Sequence, residues 1–196
     1  IRTMSAKIDL DTTKIVVEDA VLKTPSSSLR ASVNMDWSAL TPKHRGRMNA
    51  VLSADFSRED VLALAGSYMP ESVVKNYPDR LLTAAIELEG NVDHVDVKSF
   101  GVRMPGMIEA YVRGAAGDLV SEGAVAADLD WEIHTQDLSL LKRVAGLTGV
   151  NLPPMDICGT TNIGGEIYSA DVQLRQGKGL LKAKGWYNSQ NDAYKA

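Results

Sequence analysis

The chain has 196 residues, 44% hydrophobic and 23% charged. That is long enough for one domain or two small ones and too apolar for a disordered chain. Lys plus Arg number 21 against 25 for Asp plus Glu, a net charge of -4 with no Lys/Arg cluster, so no nucleic-acid partner is expected. One cysteine, Cys158, excludes a disulfide framework and a Cys-rich metal site, and no apolar run approaches the roughly 20 residues of a membrane-crossing helix.

The chain starts at Ile1 rather than Met, carries no basic-then-apolar leader, and ends at Ala196 just behind a strand-like stretch. Both ends read as those of a fragment or processed product.

In chain order, period-2 alternation dominates. Strands are expected near 4–10 and 14–24. Leu29, Ala31, Val33, Met35 and Trp37 then alternate with Arg30, Ser32, Asn34 and Asp36, one apolar and one polar face. Met48, Ala50, Leu52, Ala54 and Phe56 repeat the pattern, as do Leu82, Ala84, Ile86 and Leu88. Further strands are expected near 92–104 and 107–114. Val125, Ala127, Leu129, Trp131 and Ile133 alternate with Ala126, Asp128, Asp130 and Glu132, and strands near 165–175 and 179–188 close the series. Clean alternation predicts antiparallel sheet with one face covered and one wet.

Helical signals are few. Ser57 can cap a short helix with Glu59 and Asp60 in its first turn, Val61, Leu62, Leu64 and Ala65 on one apolar side, and Gly66 at its end. Pro70 and Glu71 can open another turn or two, closed by Pro78. A third helix is expected from Asp137 to Ala145, with Leu138, Leu140, Leu141 and Val144 inward, Lys142 and Arg143 in its last turn, and Gly146 ending it.

These pieces recur. Asp60-Val61-Leu62-Ala63-Leu64-Ala65-Gly66 is echoed by Asp137-Leu138-Ser139-Leu140-Leu141 and Val144-Ala145-Gly146. The strand pair through Val21-Leu22-Lys23-Thr24-Pro25 and Leu29-Arg30-Ala31 is echoed through Gly101-Val102-Arg103-Met104-Pro105 and Ile108-Glu109-Ala110, and again through Val172-Gln173-Leu174-Arg175 and Leu181-Lys182-Ala183. A period of about 75–80 residues describes several antiparallel strands and a short helix stacked on copies of themselves. The tentative units are 1–66, 67–146 and a partial 147–196, sharing one continuous sheet across 1–196.

No motif carries catalytic chemistry. His44, His94 and His134 lack a metal partner at helical spacing; His94 and Asp96 can share a strand face, but two ligands do not make a site. Ser67 after Gly66 does not complete a nucleophile elbow, and Ser26-Ser27-Ser28 reads as a turn. Cys158 has neither base nor electropositive setting in its neighbourhood. Arg175-Gln176-Gly177-Lys178-Gly179 has no following helix and reads as a hairpin turn rather than a phosphate loop. Glu18-Asp19 and Glu87/Glu89 are carboxylates on solvated faces. No catalytic residue, metal or cofactor is expected, and the chain reads as a non-enzyme.

What remains is the apolar face. Few helices are available to cover it, and many of its positions are alanine: Ala31, Ala50, Ala54, Ala84, Ala110, Ala127 and Ala183. Small side chains suit a thin layer or a hollow better than a dense core.

The run Asp137-Leu138-Ser139-Leu140-Leu141, then Gly146-Leu147, Gly159, Gly164-Gly165 and alternating strands to Gly185, resembles the AsmA/TamB family of Gram-negative envelope proteins. Asp60-Val61-Leu62-Ala63-Leu64 departs from that pattern in lacking the serine. The resemblance implies an interior segment of a long periplasmic protein anchored in the inner membrane. It implies a curled β-sheet with an apolar groove that carries phospholipid toward the outer membrane, or that supports outer-membrane protein assembly with a barrel partner of TamA type.

The expected fold is mainly β, repeated antiparallel strands forming a curved, groove-like sheet with two or three short helices. The expected groove lining is Leu29, Ala31, Val33, Met35, Trp37, Met48, Ala50, Leu52, Leu82, Ala84, Ile86, Leu88, Val125, Ala127, Leu129 and Trp131. Its expected partners are phospholipid acyl chains. The alternatives are a β-sandwich binding or adhesin-like module with a closed core, and an enzyme with a polar cleft.

Overall fold

The computed structural model describes residues 2–40, 46–120, 125–144 and 152–195. Among these described residues twelve strands form one antiparallel sheet whose spatial order is the chain order. They are β1 (Thr3–Leu10), β2 (Lys14–Lys23), β3 (Ser28–Asp36), β4 (Met48–Phe56), β5 (Leu82–Gly90), β6 (Val95–Met104), β7 (Ile108–Gly117), β8 (Ala126–Thr135), β9 (Met155–Gly164), β10 (Ile167–Gln176), β11 (Gly179–Asn188) and β12 (Ala193–Lys195). The sheet is open and curved. Every neighbour in space is thus a neighbour in sequence, joined by turns or short helices, which is the meander that antiparallel hairpins build most directly.

Three short helices occupy connections at one end of the strands: α1 (Arg58–Ala65) and α2 (Glu71–Asn76) between β4 and β5, and α3 (Ser139–Val144) between β8 and β9. Ser57 caps α1 as expected: its hydroxyl accepts the Asp60 N–H at 3.2 Å. Gly66 follows without a left-handed turn, its φ being -59°, and the chain runs on as a 3-10 turn to Tyr68. α3 is shorter than the Asp137–Ala145 span expected: the Asp137 carboxylate accepts the Ser139 N–H at 2.8 Å, so Asp137 stands ahead of the helix. His44, Ala145, Gly146, Leu147 and the side chains of Leu141 and Val144 lie outside the described residues.

The β2–β3 turn is tied to the start of α1. Asp60 Oδ2 accepts the Thr24 hydroxyl at 2.7 Å, and the Ser57 N–H donates to the Ser27 hydroxyl at 2.8 Å. Hydrogen bonds from Ser27, Thr24, Ser57 and Ser26 hold the Asp60 carboxyl below its ordinary 3.8. Ser57→Ala is expected to destabilise the protein by about 1 kcal/mol. Because the Asp60 pKa is depressed in the fold, its contribution is present above pH 3.8 and is lost as the pH falls through the lower folded value. Thermal melts at neutral and acid pH check both statements.

The densest packing sits at this helix end. Val61, Tyr77, Met104 and Met107 are buried together, with Phe56, Leu62, Met69, Val73, Leu82 and Leu140 packed against them. The β6–β7 turn joins this end: the Gln136 N–H donates to the Met107 carbonyl at 2.8 Å, and Arg80 donates to the Pro105 carbonyl. Beyond this end the described strands form one open, curved sheet rather than two sheets packed face to face. The closed sandwich core held as an alternative is therefore not what these residues form.

A strand at Met155–Gly164 is an addition to the sequence reading, which began the next strand at 165. Its apolar-face series is Met155, Ile157, Gly159, Thr161 and Ile163, so a glycine and a threonine interrupt the signal.

Candidate functional site: the uncovered apolar face

Directly opposed residues of an antiparallel ladder point to the same side of the sheet. The registers therefore place the apolar side chains in rows across the strands. One row runs Met4, Leu22, Leu29, Ala54, Ala84, Val102, Ala110, Ile133, Ile157, Leu174, Leu181, from β1 to β11 without a polar member. The next runs Ala31, Leu52, Ile86, Phe100, Val112, Trp131, Gly159, Val172, Ala183. Two more pass through Val33, Ala50, Leu88, Val97, Gly114 and Leu129, and through Met35, Met48, Gly90, Val95, Ala116 and Ala127.

Fourteen of the sixteen expected lining residues thus share one face: Leu29, Ala31, Val33, Met35, Met48, Ala50, Leu52, Leu82, Ala84, Ile86, Leu88, Ala127, Leu129 and Trp131. Two are placed differently. Asp36 ends β3, so Trp37 stands in a 3-10 turn, 44% exposed, its indole N–H donating to the Asp11 carbonyl at 2.9 Å. Val125 precedes β8 and is exposed; its carbonyl accepts the Gly165 N–H.

Most of these side chains are half-buried by their neighbours in the rows. On this face the buried residues are Ala50, Ala54 and Ala127 along the strands and Met104 and Thr135 at the helix end, and no large side chain is fully buried among the described residues. At the β1 edge the face is bare: Met4 is 77% and Ile8 59% exposed. Extended apolar patches on protein surfaces commonly mark sites for apolar ligands or partners.

Trp131 shows how the face is kept smooth. Its indole N–H donates to the Thr161 hydroxyl at 3.0 Å, and a Cβ on Gly159 would lie 2.7 Å from the ring. The glycine lets the ring lie flat on β9, and the threonine satisfies its one polar atom. This explains why polar and glycine positions interrupt β9, and no alternation count could have found it.

The opposite face is charged and solvated. A depression of about 510 Å³ lies on it across β6–β10, bounded by Lys98, Tyr111, Arg113, Asp130, Glu132, Thr160, Asp171 and Gln173. Its charges are already engaged: Arg113 with Asp130 at 3.3 Å, Lys98 with Glu89 at 3.1 Å. Cys158, half-buried, faces Glu132 in the ladder. The Glu18 carboxylate pairs with Lys7, and Asp19 sits at a bulge with φ 52°. His94 Nε2 lies 3.8 Å from Asp96, and among the described residues no three His, Cys, Asp or Glu side chains group around a metal position.

Among the described residues His134 is the histidine held between carboxylates: Nδ1 is 2.9 Å from Asp156 and Nε2 3.5 Å from Glu132, with the Tyr111 ring edge-on at 6.3 Å. The hydrogen bond to Asp156, with the charge of Glu132 added, raises its pKa above 6.5. Both ring nitrogens face carboxylates, which favours imidazolium and leaves no free nitrogen as a base. The raised pKa means that its stabilisation is full below pH 6.5 and is lost as the pH rises through the higher folded value. The melting temperature is expected to fall across that window, and His134→Ala is expected to flatten the profile.

No helix of the described residues is long and apolar enough to cross a membrane. No family model matches the chain, and no curated protein or solved structure matches it.

Proposed function

We propose that the chain is a non-enzymatic lipid-carrying segment whose uncovered apolar face receives the acyl chains of phospholipids. The observation that supports this reading is the apolar row from Met4 to Leu181, unbroken over β1–β11 of one open sheet. Acyl chains would bind by burial alone, at roughly 0.8 kcal/mol per CH₂ removed from water. Burial is non-directional, which suits tails of varied length. The resemblance to the AsmA/TamB family supports the setting proposed here: the periplasm of a Gram-negative bacterium, within a parent protein anchored in the inner membrane. The same resemblance supports passage of phospholipid between the membranes, or assembly of outer-membrane proteins with a TamA-type barrel. Incubation with phospholipid vesicles, removal of the vesicles by flotation, and phosphate analysis of the protein fraction test the reading. Retained phospholipid is expected; protein free of phosphate contradicts it.

A further inference from the structure

The charged face is not uniform. On β6–β8 its cations are matched by carboxylates: Lys98 by Glu89, Arg103 by Glu109 and Arg113 by Asp130. Along β10–β12 they outnumber them. Residues 167–195 hold five basic side chains, Arg175, Lys178, Lys182, Lys184 and Lys195, against Asp171 and Asp192, in a chain whose net charge is -4. The registers set Arg175 beside Leu180, Gln173 beside Lys182, Asp171 beside Lys184, and Trp186 between Ser169 and Lys195. Opposed residues share a side of the sheet, and so do alternate residues of one strand. Leu180, Lys182, Lys184 and Trp186 therefore form a line about 20 Å long on the face away from the apolar rows. Lys178 stands in the turn ahead of that line. Few carboxylates oppose it. Lys184 lies 4.0 Å from Asp171; Asp156, opposite Arg175, is engaged by His134, and Asp192 accepts the Tyr187 hydroxyl. Among the described residues Arg175, Lys178, Lys182 and Lys195 have no ion-pair partner. The two apolar members of the line are open to solvent, Leu180 54% and Trp186 41% exposed.

We infer that this part of the charged face, over β10–β12, docks on the surface of an anionic phospholipid bilayer. A Lys or Arg held close to such a surface raises affinity about fivefold. The apolar members of the line decide which polyanion is meant. A soluble polyanion would take the lysines and leave Leu180 in water, and one exposed indole on a flat strand gives nucleic-acid bases no run of rings to stack on. A bilayer interface takes every member. The leucine is buried among acyl carbons, the indole lies at head-group level with its N–H toward water, and the lysines reach the lipid phosphates from the ends of their stems. The docking side is opposite the apolar rows, so docking is independent of acyl-chain loading.

Flotation with two kinds of vesicle tests this: phosphatidylcholine alone, and seven parts phosphatidylcholine to three parts phosphatidylglycerol. The protein is expected to bind the anionic vesicles about tenfold or more tightly than the neutral ones at about 0.1 M salt. It is expected to leave them at about 1 M, where the Debye length falls from about 10 Å to about 3 Å. Lys182→Gln with Lys184→Gln is expected to weaken anionic binding by about tenfold or more. Lys14→Gln with Lys23→Gln, the same charge change at the exposed ends of β2, should bind as the parent does. In a protein carrying Trp37→Phe and Trp131→Phe, the emission of Trp186 should move to shorter wavelength on the anionic vesicles. Binding indifferent to phosphatidylglycerol or to salt, equal weakening by the two double variants, or unchanged Trp186 emission overturns the docking. Tighter binding to heparin than to the anionic vesicles assigns the patch to a soluble polyanion and overturns it too. Phosphate retained by protein freed of vesicles reads acyl-chain loading separately, so either reading can fail alone.

Discussion

Val33→Glu or Leu129→Glu is expected to abolish phospholipid loading, a loss of tenfold or more, corresponding to about 1.4 kcal/mol or greater. Both residues lie in one row of the apolar face, on β3 and β8. A carboxylate there would have to be buried beneath acyl chains without a partner, at a cost of several kcal/mol, or would hold water on the face and keep the chains off. The fold should survive, because both positions are only half-buried and an ionised side chain can turn to solvent in the empty protein. Ser32→Glu, one residue from Val33 on the charged face, is the control and should load as the parent does. Phosphate analysis of the loaded protein, with circular dichroism to verify the strands, reads both. Unchanged loading in a folded Leu129→Glu protein would remove the apolar face from the account.

The largest effect on stability is expected from Gly114→Ala in β7. Gly114 has φ 142°, and a Cβ there would lie 2.0 Å from the Asp128 carbonyl oxygen and 2.9 Å from the Leu129 Cα. Both atoms are backbone of the neighbouring strand, so the clash is relieved only by moving β7 from β8. Strain plus lost ladder contacts should cost about 3 kcal/mol. For a protein of this size that lowers the melting temperature by about 6–12 °C. Gly101→Ala in β6 is the contrast. Its added Cβ meets the Tyr111 ring at 3.3 Å, a side chain that can shift, and its effect should be small. Equal melting temperatures for the two variants would contradict the close β7–β8 approach at Gly114.

The alternation that made β3, β4, β5 and β8 legible comes from a simple physical fact: one side meets water and the other does not. Leu29 to Met35 and Ala127 to Ile133 carry that pattern undisturbed. It failed at Trp37, where apolar identity continued for one position past the strand's end. It also failed along β9, where the face is completed by a ring from β8 lying over Gly159. Bulges hid more: register shifts between Val17 and Ala20 in β2, and at Lys98 in β6, reverse which positions face which side. The site was legible as a list of apolar positions, not as a surface. Cross-strand registry joins Leu29 to Ala54 and Ala84, and only the assembled sheet shows that these positions of separate strands form one row. The caps were readable at Ser57, because a hydroxyl ahead of two acidic residues satisfies free N–H groups by local chemistry alone.

The most direct measurement is mass spectrometry of an organic extract of the purified chain. Near-stoichiometric co-purified phospholipid is the result this account predicts, since an apolar face of this extent is better covered by acyl chains than by water. A chain that purifies folded, free of lipid, and stays empty after exposure to phospholipid vesicles would contradict it.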